Sequence, residues 1–203
     1  MKKPLLVLLG SALLLASPTR VYAQKEANEH VFTAGAAYSL AGLFANLFKD
    51  AVNTATDVKV SVIPALIANY DYGIASKFSL GAAFSYQQMT LEYKDTDTSN
   101  NQTFNYKDKL SRTNVGLRPL FHFGENENLD TYFGFRLSMT FWDHSSNNPR
   151  VTGSSTDIWN SGKLRFQALF GARYFFNDFL GFNGEVAIGP PYYAAMGLNL
   201  RIK

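Results

Sequence analysis

The stretch Leu129–Asp143, "LDTYFGFRLSMTFWD", decides the fold. Phe133, Phe135, Leu137, Met139 and Phe141 fall on one parity; Gly134, Arg136, Ser138 and Thr140 fall on the other. A period of two is the signature of a strand with unlike faces, because successive side chains leave a strand on opposite sides. Arg136 then stands in the middle of the polar face, where an unpaired cation out of water is costly.

The same alternation recurs along the chain. "GKLRFQALFGARYFFN" sets Leu164, Phe166, Ala168, Phe170, Ala172 and Tyr174 against Arg165, Gln167, Gly171 and Arg173. "RTNVGLRPLFHF" sets Val115, Leu117, Phe121 and Phe123 against Asn114, Gly116, Arg118 and His122. The last segment sets Met196, Leu198, Leu200 and Ile202 against Gly197, Asn199 and Arg201. Eight such runs are expected, near 31–43, 58–70, 77–92, 109–123, 129–142, 162–176, 179–189 and 191–203.

The links between runs alternate in length. "FANLFKDAVNTATD", "KDTDTSNNQTFNYKD" and "HSSNNPRVTGSSTDIWNS" are long and polar, while those around Tyr72–Ser76, Gly124–Asn128 and Asn177-Asp178 are short. An up-and-down meander with long loops on one rim and tight turns on the other is how outer-membrane barrels are built. Gly189-Pro190-Pro191, a short link on the loop rim, departs from the pattern. "GLFANLFKDAV" in the first long link reads either as a short amphipathic helix or as an extension of the first strand.

Period two does not say which face meets lipid, since a soluble barrel also alternates, with its apolar side inward and charges outside. Here the polar parity is mostly Gly, Ala, Ser, Asn and Gln with a few Arg, too weakly charged to coat a water-facing surface. The charges sit in the long links. Aromatic residues gather near strand ends (Tyr70, Tyr72, Phe78, Tyr93, Phe121, Phe123, Phe141, Trp142, Trp159, Tyr174, Phe175, Phe176, Phe179, Tyr192 and Tyr193), the placement of two interfacial girdles.

Residues 1–23 carry Lys2 and Lys3, an apolar block from Leu5 to Ala16 and the closing Val21-Tyr22-Ala23, the features of a cleaved secretory signal rather than of a membrane anchor. The expected organisation is therefore a signal over 1–23 and one barrel domain over 24–203. Without the signal, 19 basic against 16 acidic residues becomes 16 against 16, which removes the charge argument for nucleic acid as a partner. There is no Cys, hence no disulfide framework and no thiol chemistry.

The whole pattern resembles the small eight-stranded outer-membrane barrels of the OmpA/OmpX type. The resemblance spans nearly all of residues 24–203, and its most specific piece is the terminal "GLNLRIK", similar to the C-terminal signal that the barrel-assembly machinery reads; Lys203 stands where a final aromatic is usual. It implies an all-β, eight-stranded antiparallel up-and-down transmembrane β-barrel in a bacterial outer membrane. The implied partners are outer-membrane lipid and lipopolysaccharide, the assembly machinery and an external ligand at the loops, with no cofactor. Pro64 and Pro119 fall on the lipid-facing parity, where a closed ladder has no free edge for them, so local bulges are expected there.

In an eight-stranded tube the lumen is just wide enough for side chains to fill it, so the inward arginines need partners. Arg118 and Arg136 are expected near mid-height, Arg165 higher, Arg173 and Arg201 toward the turns and Lys59 toward the loops. Glu185 is the mid-strand acid of matching parity. It is expected to bind one or two arginines, with Gln167, Asn183 and Asn199 completing the network. Inward cations outnumber inward acids, so the remainder would reach water or end-of-strand acids such as Asp71, Glu92 and Asp130. Inward apolar residues (Ile63, Ile67, Leu120, Leu169, Phe175) favour a plug with a structural role; an Arg-rich constriction passing small solutes is the alternative.

A weaker reading is catalysis on lipid A, which would use a His and a Ser two residues apart near the loop rim, oriented by an acid. His144 and Ser146, with Asp143 and Asp157 nearby, have that spacing, but their parity points away from lipid. His30 and His122 are isolated, and no metal-ligand spacing or nucleotide fingerprint is present.

Overall fold

The computed structural model describes residues 27–39, 58–97, 102–123, 128–149 and 162–203. The expected signal, the "GLFANLFKDAV" segment, Asp157 and Trp159 lie outside these residues.

The described residues form nine strand segments: β1 (His30–Tyr38), β2 (Lys59–Val62), β3 (Ala65–Ala75), β4 (Phe78–Asp97), β5 (Gln102–His122), β6 (Leu129–Ser146), β7 (Lys163–Phe175), β8 (Leu180–Ile188) and β9 (Ala194–Ile202). β1 pairs antiparallel with β3, each strand from β3 to β9 pairs antiparallel with the next, and β1 pairs with β9 to complete the ring. Both β2 and β3 pair with β4, so they are one stave with a break, and the tube is an all-β closed barrel of eight antiparallel staves.

Burial fixes the sidedness. Along β6, β7, β8 and β9 exposed and buried residues alternate, with the bulky apolar residues outside: Ile188 is 81% exposed, while Arg118, Arg173 and Gln167 are 0% exposed. A surface this apolar is unstable in water and matches hydrocarbon, so the fold is that of a transmembrane barrel. Near the turn rim, rings pack across strands, Phe78–Phe121 tilted at 5.2 Å and Phe121–Phe133 stacked at 5.1 Å between centroids. Not every ring near a strand end belongs to a girdle: Phe175 and Tyr192 are 1% exposed and face the lumen.

The break in the first return stave has a physical cause. Val62 pairs with Met89 but Leu66 pairs with Tyr86, so four residues on β2–β3 span three on β4. That is a bulge at Ile63-Pro64, where the missing Pro N–H does no harm. The extra residue reverses the parity below it. Ile63 therefore faces outward (39% exposed) rather than inward, Ile67 is buried, and Lys59 faces outward level with Glu92 rather than into the lumen. Pro119 behaves differently. The β5–β6 register is the same on both sides of it, with the pairings of Arg118 and Pro119 to β6 missing, so it leaves a gap in the ladder and no bulge.

The second long link is largely strand. β4 and β5 stay paired as far as Asp97 and Gln102, with β2 and the end of β6 alongside, so among the described residues one side of the barrel extends upward as a four-stranded wall. At the opposite rim, the expected Tyr72–Ser76 turn is tighter, because β3 continues to Ala75 and β4 begins at Phe78.

The bulge is testable because the chain lacks Cys. In vesicle-reconstituted protein, Ile63→Cys and Leu66→Cys should both react with a bilayer-soluble maleimide, and Ile67→Cys at least roughly tenfold more slowly, as strand alternation requires. Equal labelling at 63 and 67 would place both on one face and remove the bulge.

Candidate functional site: a charged ladder across the lumen

The lumen holds a chain of alternating charges. Arg136 on β6 donates through Nη2 to Glu185 Oε1 on β8 at 3.0 Å, and Arg118 on β5 donates through Nη2 to Glu185 Oε2 at 2.9 Å. Arg118 Nε lies 3.2 Å from Asp71 Oδ1 on β3, and Asp71 also accepts from Arg173 on β7. Arg173 Nη1 reaches Asp130 Oδ2 on β6 at 3.5 Å. Asp130 Oδ1 lies 2.6 Å from His122 Nδ1, and His122 Nε2 lies 2.8 Å from Ser79 Oγ. Thus three guanidinium groups interleave with three carboxylates, and a His and a Ser close the chain toward the turn rim.

Glu185 is the node. Besides the two arginines, Tyr132 donates to its Oε2 and Tyr192 to its Oε1, each at 3.2 Å. Each carboxylate oxygen thus receives one guanidinium and one phenol, the saturation that makes a buried charge tolerable. The same rings face the cations: Arg173 lies 4.7 Å from the centre of Tyr132, and Arg136 lies 4.6 Å from that of Tyr192.

Small residues make the room. A Cβ on Gly81 would sit 2.1 Å from Asp71 Oδ1, and one on Gly171 would sit 2.4 Å from the Tyr132 ring. Both glycines face inward, and each gives up its volume to a neighbour that the ladder needs.

The residues singled out from the sequence divide in three. Arg118, Arg136, Arg173, Glu185 and Gln167 meet in one cluster, where Gln167 accepts from Arg136 and donates to Gly189 O at 3.0 Å. Asn199 is buried and accepts from Thr33 Oγ1 at 2.7 Å, and Asn183 is buried at its side on β8. Arg165 is half-buried outside the cluster. Arg201 lies at the turn rim, stacked 3.9 Å from the centre of Phe175, donating to Asp178 O at 2.9 Å and 3.9 Å from Glu29.

As expected, inward arginines reach Asp71 and Asp130, and both acids are full members of the ladder. Glu92 lies outside, paired with Lys107 at 2.7 Å. Sequence reasoning did not single out Tyr132, Tyr192 or Ser79 as lumen donors, nor Arg112, whose Nη2 donates to Gln87 Oε1 at 2.8 Å and Pro191 O at 2.7 Å. The signal for Tyr132 was present: it shares the parity of Arg136.

Ser79, His122 and Asp130 have the bonding order of a hydrolytic triad. Ser79 is 0% exposed, however, and Asp130 is shared with Arg173, so the trio ends the ladder instead of presenting a nucleophile. His144 faces the inner side of the wall, its Nε2 4.0 Å from Asp108 Oδ1. Among the described residues no group of His, Cys, Asp or Glu could hold a metal ion.

No protein-family model and no curated protein matches the chain. The fold is that of small outer-membrane barrels: the outer-membrane protein OprG from Pseudomonas aeruginosa superposes with a TM-score of 0.52 at 10% identity, covering 89% of this chain and 99% of that one. Weaker likenesses are a de novo designed transmembrane β-barrel (0.47, 11% identity, 89% and 99% covered) and Ail, the attachment invasion locus protein of Yersinia pestis, in complex with the heparin analogue sucrose octasulfate (0.46, 10% identity, 87% and 100% covered).

Two substitutions test the ladder by its resistance to urea in lipid or detergent. Glu185→Gln leaves Arg118 and Arg136 without their shared countercharge and should cost about 3–5 kcal/mol. Gly171→Val drives Tyr132 off Glu185 and should cost about 1–3 kcal/mol by overpacking. Unfolding midpoints unchanged from wild type in both would show that the cluster contributes nothing to stability.

Proposed function

We propose that the protein is a non-enzymatic integral protein of a bacterial outer membrane, a plugged barrel that anchors in lipid and holds its four-stranded wall outside the cell as a surface for external partners. The observation that carries this reading is the ladder itself. Arg136, Glu185, Arg118, Asp71 and Arg173 come from five different staves, β6, β8, β5, β3 and β7, and join across the axis with almost no exposed surface. An aqueous path would need those bonds to open, and leaving a guanidinium or carboxylate unpaired in such a place costs several kcal/mol.

The remaining parts fit export and insertion. The N-terminal 23 residues act as the signal, and β9 offers the assembly machinery a strand whose Met196, Leu198, Leu200 and Ile202 all face outward. With the tight turns in the periplasm, the wall stands on the extracellular side, the usual orientation of such barrels.

Planar bilayers give the decisive measurement. The wild-type protein is expected to insert without steady conductance steps, whereas Glu185→Ala combined with Asp71→Ala, which removes two of the three carboxylates, should raise leak events well above background. Stable unit conductance in the wild type would replace the plugged anchor with a pore. Lipid A recovered from cells with and without the protein should be of equal mass, and a fluorophosphonate reagent should leave Ser79 and Ser146 unlabelled; a shifted mass or a labelled serine would restore catalysis.

A further inference from the structure

We infer that the loop-side mouth of the lumen, above the charged ladder, is a binding site for a small divalent oxyanion, with Arg112 and Arg165 as its two charged ligands. That the mouth opens to the cell exterior rests on the orientation proposed above; the site and its ligand go beyond that reading.

Charge balance inside the tube points there. The ladder is closed, three guanidinium groups against three carboxylates. Two further arginines stand on inward parity on its loop side: Arg112 on β5, beyond Arg118, and Arg165 on β7, beyond Gln167. Neither has a carboxylate partner among the described residues. The next inward acid up β5, Asp108, stands a full turn of alternation higher, beside His144. Arg118, Arg136 and Arg173 are buried with their partners, whereas Arg112 and Arg165 are half-buried and open to a solute. A cation partly withdrawn from water attracts an anion more strongly than one on an open surface.

The donors are held in place. Arg112 Nη2 donates to Gln87 Oε1 at 2.8 Å and to Pro191 O at 2.7 Å, and Ser39 Oγ donates to the same Gln87 oxygen at 2.8 Å. The guanidinium is thereby fixed 5.5 Å from the centre of the Trp142 ring. Its Nε is buried without a hydrogen-bond partner. The link from Gly189 to Tyr192 crosses the mouth from the β7 side: Gln167 Nε2 donates to Gly189 O at 3.0 Å and to Tyr192 O. A Cβ on Gly189 would lie 2.8 Å from Phe166 O, so the link runs past the residue next to Arg165. Arg112 holds this link and Arg165 flanks it. Ser138, opposite Arg165 on β6, is 2% exposed, and its Oγ has no hydrogen-bond partner. Two guanidinium groups and a hydroxyl thus converge on the mouth with hydrogen-bonding capacity that the protein leaves unused.

This set selects the ligand. A surplus of two positive charges is balanced by two negative ones, and planar guanidinium groups pair with the oxygens of phosphate, sulfate or carboxylate better than with a spherical halide. The bonds of Arg136 to Gln167 and Glu185 close the lumen beneath, so the anion lodges at the mouth and goes no deeper. A phosphate group, a sulfate or a short dicarboxylate fits this description.

The test uses the mature chain folded in a non-ionic detergent and dialysed to equilibrium against radiolabelled inorganic phosphate at constant ionic strength and mildly alkaline pH, where phosphate is divalent. The inference expects saturable binding of one phosphate per chain, with acetate and chloride at least roughly tenfold poorer competitors than sulfate. Displacement by sulfate but not succinate assigns the site to tetrahedral dianions; displacement by both assigns it to dianions at large. Arg112→Gln and Arg165→Gln should each weaken phosphate binding about tenfold, as expected for loss of a charged hydrogen-bond donor. Arg165 bonds to no described residue, so Arg165→Gln keeps the test decisive should Arg112→Gln misfold. Absence of saturable binding, equal displacement by chloride, or undiminished binding by Arg165→Gln would each overturn the inference. Heat-modifiable migration is read on the same samples: its loss in the wild type overturns the barrel reading, whereas its retention without bound phosphate overturns this inference alone. Steady conductance in planar bilayers would overturn the plugged anchor and leave the binding result standing.

Discussion

The structure depends on one carboxylate. Glu185 sits at 3% exposure inside a tube only wide enough for side chains, and it accepts from two arginines and two tyrosines at once. Water ordinarily solvates such charges; here the protein supplies every donor itself, and the geometry of the lumen follows from that need. Gly81 and Gly171 are inward because Asp71 and the Tyr132 ring occupy the space a Cβ would fill. The Tyr132 and Tyr192 rings border the guanidinium groups on one side and pack with small apolar clusters on the other, Leu120, Leu169 and Ala187 for Tyr132 and Ala37, Ala65, Ile67 and Ala195 for Tyr192.

Most of the architecture was legible because one face of each strand meets hydrocarbon and the other a packed lumen, and that contrast writes itself into the sequence as strict alternation. The run Leu129–Asp143 shows the rule at its clearest. Legibility failed where alternation is locally broken or where both faces meet water. At Ile63-Pro64 one inserted residue reverses the faces, so Ile63 and Lys59, read by simple parity, land on the wrong side. In 94–97 and 102–108 the apolar parity disappears, and paired strands look like a polar loop in the sequence.

The ladder was legible in part. The residues Arg118, Arg136, Arg173 and Glu185 stand out as charges on an inward parity, a local property. Which acid meets which arginine is not local: Arg118 and Glu185 are 67 residues apart, Arg173 and Asp71 are 102 apart, and the partner depends on stave order and stagger. Asp71 looked like a rim acid because β3 was expected to stop near residue 70, whereas it runs to Ala75 and places Asp71 within the barrel.

Those separations bear on the time course of the folded state. Neighbouring staves can zip from local hairpins, but a carboxylate on β8 meets a guanidinium on β5 only once the sheet has curled until its first and last staves touch. Interactions absent while the sheet is still open do little to hasten assembly and act chiefly on the reverse step. The lumen charges therefore behave as a latch engaged last, setting the lifetime of the inserted molecule more than the speed with which it was made.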